Sequence, residues 1–275
     1  MPYLFLIPSF IFFILFTVWP IIKVLELSLF QTNFITTSFV GLQNYIDSFN
    51  NPMFLLSLKN SVFYIILMVS GTILLSLFIA LTVSKLPKKW QDSSRILLYI
   101  PVLAGGIIIA QVWRWIFSAN GVVNWLLSVF GIGTINLFGQ GSTAIPLVVF
   151  IVILSSFGSY VIILLASITS IDKGIFEAAT IDGASHRQIQ WQITIPLLMP
   201  TILLIGLLAM IASMQIVETI MVLVPQDFAF TPTYEIYATG FKYSKWGMAS
   251  AQSVILMVVT VILSLIKGRV ERNGR

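Results

Sequence analysis

Glu177-Ala178-Ala179-Thr180-Ile181-Asp182-Gly183, followed after nine residues by Ile193-Thr194-Ile195-Pro196, is a charged island between two of the most apolar stretches of the 275-residue chain. The segment from Ile171 to Gln188 reads as a surface helix. Ile171, Ile175, Ala178, Ala179 and Ile181 recur at helical spacing and form one apolar side, while Asp172, Glu177, Asp182 and Arg187 supply polar groups. Ala178 and Ala179 keep that side slim, so a groove of another protein can approach closely. Gly183 permits a positive φ where the helix ends and the chain turns toward the next apolar segment. Pro196 marks the start of that segment, because proline is tolerated in a first helical turn. On the residues alone, an ordinary interfacial helix accounts for this stretch as well as a docking helix does.

The composition around the island is that of a membrane protein. The chain is 58% hydrophobic and 9% charged, with a mean hydropathy of +0.99, which leaves too little polar surface to cover a water-soluble globule. The formal charge of +5 is read by location, since cytoplasmic loops of membrane proteins retain Lys and Arg; nucleic acid is not an expected partner. Without cysteine there is neither a disulfide framework nor a thiolate metal site. The single histidine, His186, makes no multi-histidine metal centre. No paired acids, and no nucleophile with a base, fall at a common depth, so no catalytic residue is assigned.

Crossing a hydrocarbon core of ~30 Å takes roughly 20 helical residues. Six stretches qualify: Tyr3 to Leu29, Leu58 to Ser84, Ile96 to Phe117, Ile145 to Thr169, Leu197 to Val224 and Ala249 to Ile266. They read as helices because runs such as Leu147 to Leu154 lack the alternation of a barrel strand. The first lacks a basic start and a small-residue cleavage site, and is expected to be a retained span. Lys85, Lys88, Lys89 and Arg95 flank one loop, and Lys267, Arg269, Arg272 and Arg275 crowd the C-terminus. With six spans both lie on one side, the cytoplasm, together with both termini and the island. The loops Phe30 to Ser57, Ser118 to Ala144 and Pro225 to Met248 face outward, with Tyr45, Trp113, Trp115, Trp125, Tyr237 and Trp246 suited to the headgroup layer. One membrane domain, residues 1–275, is expected.

The island carries a resemblance. Glu-Ala-Ala, three residues, Gly, nine residues, Ile, one residue, an aliphatic residue and Pro is similar to the EAA loop of ABC importer permeases. The agreement runs from Glu177 to Pro196. Along nearly its whole length the chain resembles the carbohydrate permeases of the maltose-transporter type, in their compact six-helix form. Phe39 to Tyr45, Val112 to Phe117, Leu197 to Pro200 and Trp246 to Ala251 carry that likeness. Val224-Pro225-Gln226-Asp227 departs from it, standing where the family usually has a Thr-x-Gly-Gly-Pro turn.

The resemblance implies an all-α permease fold with a cytoplasmic coupling helix between spans four and five. Glu177, Ala178, Ala179, Asp182, Gly183, Arg187, Ile193 and Pro196 would dock in a groove of a separate ATPase. Implied partners are a second permease in a heterodimer, two ATPase copies that hold ATP and magnesium, an extracytoplasmic solute-binding protein and membrane lipid. This chain itself would carry no cofactor or metal and no enzymatic activity. It would lie in a bacterial or archaeal cytoplasmic membrane and serve an oligosaccharide importer.

An acid or base deep in lipid is unfavourable by about 2.5–3.5 kcal/mol on insertion scales, which makes Glu218 the residue to explain. Glu218 and Gln215, three apart in the fifth span, are read as facing the solute path, the alternative for Glu218 being a structural hydrogen bond to a neighbouring helix or to the partner permease; Ser155, Ser156, Ser159 and Tyr160 form a second polar group in the fourth. Sugar hydroxyls need donors and acceptors, and a pyranose face stacks on an aromatic ring. Gly158 and these three serines are also the small residues expected where two membrane helices pack closely, and for each serine packing is the favoured reading. Arg114 is read as reaching the surface, and Lys23 as pairing with Glu26 on one helix face. The competing class is an ATP-independent secondary transporter or channel, which has no need of the island and would place acids on several helices.

Overall fold

The computed structural model describes residues 6–32, 35–139, 141–224 and 227–273. In chain order the elements are α1 (Ile7–Leu27), β1 (Phe30–Thr32), β2 (Thr37–Phe39), α2 (Gln43–Asn50), α3 (Pro52–Val83), α4 (Lys88–Leu103) and α5 (Gly106–Ile116). There follow α6 (Val122–Val129), α7 (Gly141–Ser170), α8 (Lys173–Ile181), α9 (His186–Leu197) and α10 (Met199–Met214). The last are α11 (Glu218–Leu223), α12 (Pro232–Tyr237) and α13 (Trp246–Asn273). Within the span read as one domain, the chain forms two compact units, Met1–Asn60 with Phe230–Val270, and Ser61–Ala229 with Glu271–Arg275.

Among the described residues four helices, α1, α3, α7 and α13, are long and apolar enough to cross a membrane uninterrupted. The third and fifth stretches, expected as continuous spans, are corrected by the structure: α4 and α5 bend by 88°, and α9 and α10 by 63°, so six crossings result if each bent pair is one. The first bend sits at Ala104-Gly105, where Gly105 has φ +68°, a left-handed conformation that no β-carbon-bearing residue adopts cheaply. At the second, Pro200 has no N–H to give the carbonyl of Pro196 and its ring crowds it, so the helix restarts at Met199. Pro196 accordingly lies in the last turn of α9, not at the start of a span. A π turn at Ile189–Thr194 precedes it, as one at Ile14–Val18 precedes Pro20; in both places a widened turn adjusts the ladder around the missing donor.

In the first unit, β1 and β2 form an antiparallel hairpin with Phe30 opposite Phe39, their rings edge to face at 5.3 Å. Buried Asn44 of α2 holds it by donating from Nδ2 to the carbonyls of Ser28 and Phe30, each at 2.9 Å. Ser28 Oγ and Tyr45 Oη lie 2.7 Å apart. The segment expected as an outer loop from Pro225 to Met248 is largely helical where described. Pro225 and Gln226 of the departing turn lie outside the described residues. Tyr234, Glu235, Ala238 and Thr239 are buried, and Asn60 Nδ2 donates to the Phe230 carbonyl at 3.2 Å. Rings of Phe230, Tyr234, Tyr237, Phe241 and Trp246 follow one another at 4.3–6.4 Å. Among the tryptophans read as headgroup anchors, Trp115 and Trp125 are exposed.

The second unit is built on α7, against which α4, α5, α10 and α11 pack. Ala80 and Val83 of α3, Tyr160, Val161, Leu164 and Leu165 of α7, Leu198, and Ile205 of α10 form a buried cluster. Lipid is as apolar as these side chains, so helix association depends on close packing rather than on escape from water. Gly158 provides it, since a β-carbon there would overlap the carbonyl oxygen of Leu98 on α4. A β-carbon on Gly71 would meet only the Cδ1 end of Ile153.

Candidate coupling helix and solute site

The island folds as two short helices joined by a left-handed turn. Asp172 caps α8 by accepting from the Gly174 N–H at 3.1 Å. At the other end Gly183 has φ +79°; its N–H donates to the Thr180 carbonyl at 3.1 Å, and the Ala184 N–H to the Ala179 carbonyl at 2.9 Å. These two bonds make a Schellman stop. Ser185 and Gln188 then form a reciprocal capping box that starts α9. The helix expected from Ile171 to Gln188 is thus two helices, with the positive φ at Gly183 anticipated from the sequence.

The expected apolar side divides. Ala179 is buried and Ile171 half-buried, whereas Ile175, Ala178 and Ile181 are exposed, Ile181 by 86%. Glu177, Asp182, Gly183 and Arg187 are exposed too, Ile193 is half-buried and Pro196 exposed. One edge of α8 is seated and the other presents small and aliphatic groups among charges. His186, also exposed, is the first residue of α9.

Glu218 does not lie inside a continuous helix. Span five stops at Met214, passes through Gln215, Ile216 and Val217, and resumes with Glu218 as the first residue of α11. Both Gln215 and Glu218 are exposed. Glu218 also meets the other broken span: a β-carbon on Gly106, the first residue of α5, would overlap its Oε2. The carboxylate therefore sits at the starts of α5 and α11, where unpaired N–H groups and the helix dipole favour negative charge. Sequence reasoning missed Gly106; the signal for it is Gly105-Gly106 four residues after Pro101 in an otherwise apolar run.

The fourth-span group is not brought together as one site. Ser155 and Ser156 are half-buried and donate to the carbonyls of Ile151 and Val152 at 2.7 and 2.8 Å, which leaves their oxygens as acceptors. Tyr160 is in the buried cluster. Toward the far end of α5, Arg114, Phe117, Thr134, Asn136 and Leu223 line a cleft of about 430 Å³ in the same unit. In the first unit, Asp47, Tyr243 and Lys245 help line a polar cleft of about 660 Å³. The expected Lys23–Glu26 pair is present at 2.7 Å.

Comparison with known proteins bears on the family and the fold. The sequence profile of the family described as "Binding-protein-dependent transport system inner membrane component" matches residues 72–274. YurN of Bacillus subtilis, a probable ABC transporter permease, is 28% identical and covers 100% of this chain and 97% of its own length. AraP of the same organism, the permease of an arabinooligosaccharide transport system, is 30% identical over 96% of this chain and 86% of its own. Among solved structures, a chain of a bacterial ABC transporter that imports the acidic polysaccharide alginate superposes with a TM-score of 0.88 at 24% identity, covering 98% of this chain and 94% of that one. At that identity the superposition speaks for the fold. A secondary transporter or channel has no support beside these likenesses. The chain belongs to the binding-protein-dependent transport system inner membrane components, as a membrane permease subunit of an ABC importer rather than an enzyme.

Proposed function

We propose that this permease imports a neutral oligosaccharide, together with a second permease, two copies of a cytoplasmic ATPase and an extracytoplasmic binding protein. The observation that carries the substrate class is the 30% identity to the arabinooligosaccharide permease across 96% of the chain. Neutrality rests on Glu218, whose carboxylate already occupies the positive starts of α5 and α11 and repels an anionic sugar. Hydroxyls of a sugar find acceptors in Glu218, Ser155 and Ser156, and donor and acceptor groups in Gln215.

Energy enters at α8. Its exposed Ile175, Ala178 and Ile181, with Glu177 and Arg187 beside them, offer a docking edge for the ATPase, and Gly183 fixes the turn by which a push on α8 reaches α9 and α10. That edge faces the cytoplasm, as do both termini, in keeping with the basic loop at Lys85–Arg95. The outer clefts near Arg114 and near Lys245 are the places where a sugar or the binding protein is met first. The ATP and magnesium belong to the ATPase.

The test is uptake of labelled oligosaccharides by cells carrying the complete transporter. Arabino-oligosaccharides are expected to enter and alginate oligosaccharides not to. Glu177→Lys is expected to stop uptake and release the ATPase on purification while the permease still inserts. Uptake of acidic sugars in preference to neutral ones overturns the substrate class. Full uptake and ATPase retention with Glu177→Lys overturn the coupling role.

A further inference from the structure

The turn between α3 and α4 holds a group of cations that neither the fold nor the proposed solute path uses. Lys85, Lys88 and Lys89 are exposed and belong to neither the Lys23–Glu26 nor the Arg95–Asp92 ion pair. Asp92, whose Oδ1 lies 3.4 Å from Arg95, is the one acid between Ser84 and Arg95, so the segment keeps a charge of +3.

The turn is built. Gln91 Nε2 donates to the Ser84 carbonyl at 3.0 Å and to the Leu86 carbonyl at 2.8 Å, tying the start of α4 back over the end of α3. Pro87 occupies the N-cap of α4 with no side-chain cap. The lysines thus stand on a fixed backbone rather than on a loose loop.

What surrounds them identifies the partner. Leu74 and Phe78 on α3, and Ile96, Leu97, Ile100 and Leu103 on α4, are large exposed apolar side chains, between 53% and 73% accessible. Both helices end at the lysine turn, in which Trp90 is 64% and Leu86 39% exposed. A tryptophan and a run of cations at the end of an apolar helix surface have the layering of a bilayer boundary, with acyl chains below and headgroups above.

We propose that Lys85, Lys88 and Lys89, with Trp90, form a binding site for the headgroup of an anionic phospholipid. The lysine ammoniums meet the phosphate, and Trp90 and Leu86 lie against the glycerol and first acyl carbons. An acidic protein surface offers the same charge but no acyl chain to cover the apolar side chains beneath it.

The experiment is fluorescence of the purified full-length chain in phosphatidylcholine vesicles that contain either brominated phosphatidylglycerol or brominated phosphatidylcholine at equal mole fraction. The Trp90 signal is isolated from the seven tryptophans by difference with Trp90→Phe. Quenching by the brominated phosphatidylglycerol is expected to half-saturate at a mole fraction at least about five-fold lower, the equivalent of one fully engaged lysine. That preference is expected to fall toward one in about 1 M salt, where screening length is about 3 Å, and in the Lys85→Gln/Lys88→Gln/Lys89→Gln variant. The corresponding triple arginine variant is expected to keep it. Equal quenching of the wild-type chain by the two lipids overturns the proposal, as does a preference that the glutamine variant retains with unchanged helical content.

Discussion

The carboxylate of Glu218 rests on the backbone of Gly106, with no room between Oε2 and the Cα for a β-carbon. Two broken helical stretches therefore meet at one acid. The contact ties the start of α11 to the start of α5, and any side chain at position 106 forces the acid away.

Gly106→Ala is expected to lower stability by about 1 kcal/mol or less, because the obstructing Oε2 is the far end of an exposed side chain that can turn aside. In a Glu218→Ala background the same substitution is expected to be much milder, because the obstructing carboxylate is gone. Thermal unfolding of the four detergent-solubilised proteins measures this coupling; additive losses in the double variant refute the contact.

Glu218→Gln keeps the shape of the side chain and removes its charge. Transport of a neutral sugar is expected to weaken, while discrimination against acidic oligosaccharides relaxes. Competition by unlabelled alginate oligosaccharides in an uptake assay reads the second effect, and a selectivity identical to wild type sinks the electrostatic role.

Gly158→Ala sets a β-carbon against the carbonyl of Leu98, a backbone atom that cannot rotate aside. It is expected to lower stability by about 1–3 kcal/mol. Gly71→Ala meets only the end of the Ile153 side chain, and its loss is expected to be smaller. A reversed order of melting temperatures contradicts the packing described between α4 and α7.

Gly183→Ala places a β-carbon in a left-handed conformation, unfavourable by about 1–2 kcal/mol, whereas Gly183→Asn is tolerated better. Affinity for the ATPase subunit, titrated on the purified permease, is expected to fall further for alanine than for asparagine. Equal affinities show that the turn after α8 does not govern docking.

Asn44→Ala removes two hydrogen bonds and leaves the Ser28 and Phe30 carbonyls unpaired, a loss of about 2 kcal/mol. Asn44→Asp is expected to lose more, since a carboxylate faces two carbonyl oxygens. Limited proteolysis of the β1–β2 hairpin reports the loosening.

Local chemistry made much of this molecule legible in its sequence. Hydropathy located the apolar stretches because every lipid-facing turn must be apolar, whatever its direction. Gly183 announced its left-handed turn because only residues with little or no β-carbon penalty stop a helix that way. Lys23 and Glu26 found each other because three residues bring side chains to one face of a helix. The bends at Gly105 and Leu198 did not show in hydropathy, which sums composition and gives the same value for a straight run and a broken one. Nor did the sequence place Gly106 under Glu218, residues 112 apart. Spacing along a helix reports only neighbours three or four residues away; which broken ends meet is decided by packing around α7, where the glycines let backbones come within reach of one another.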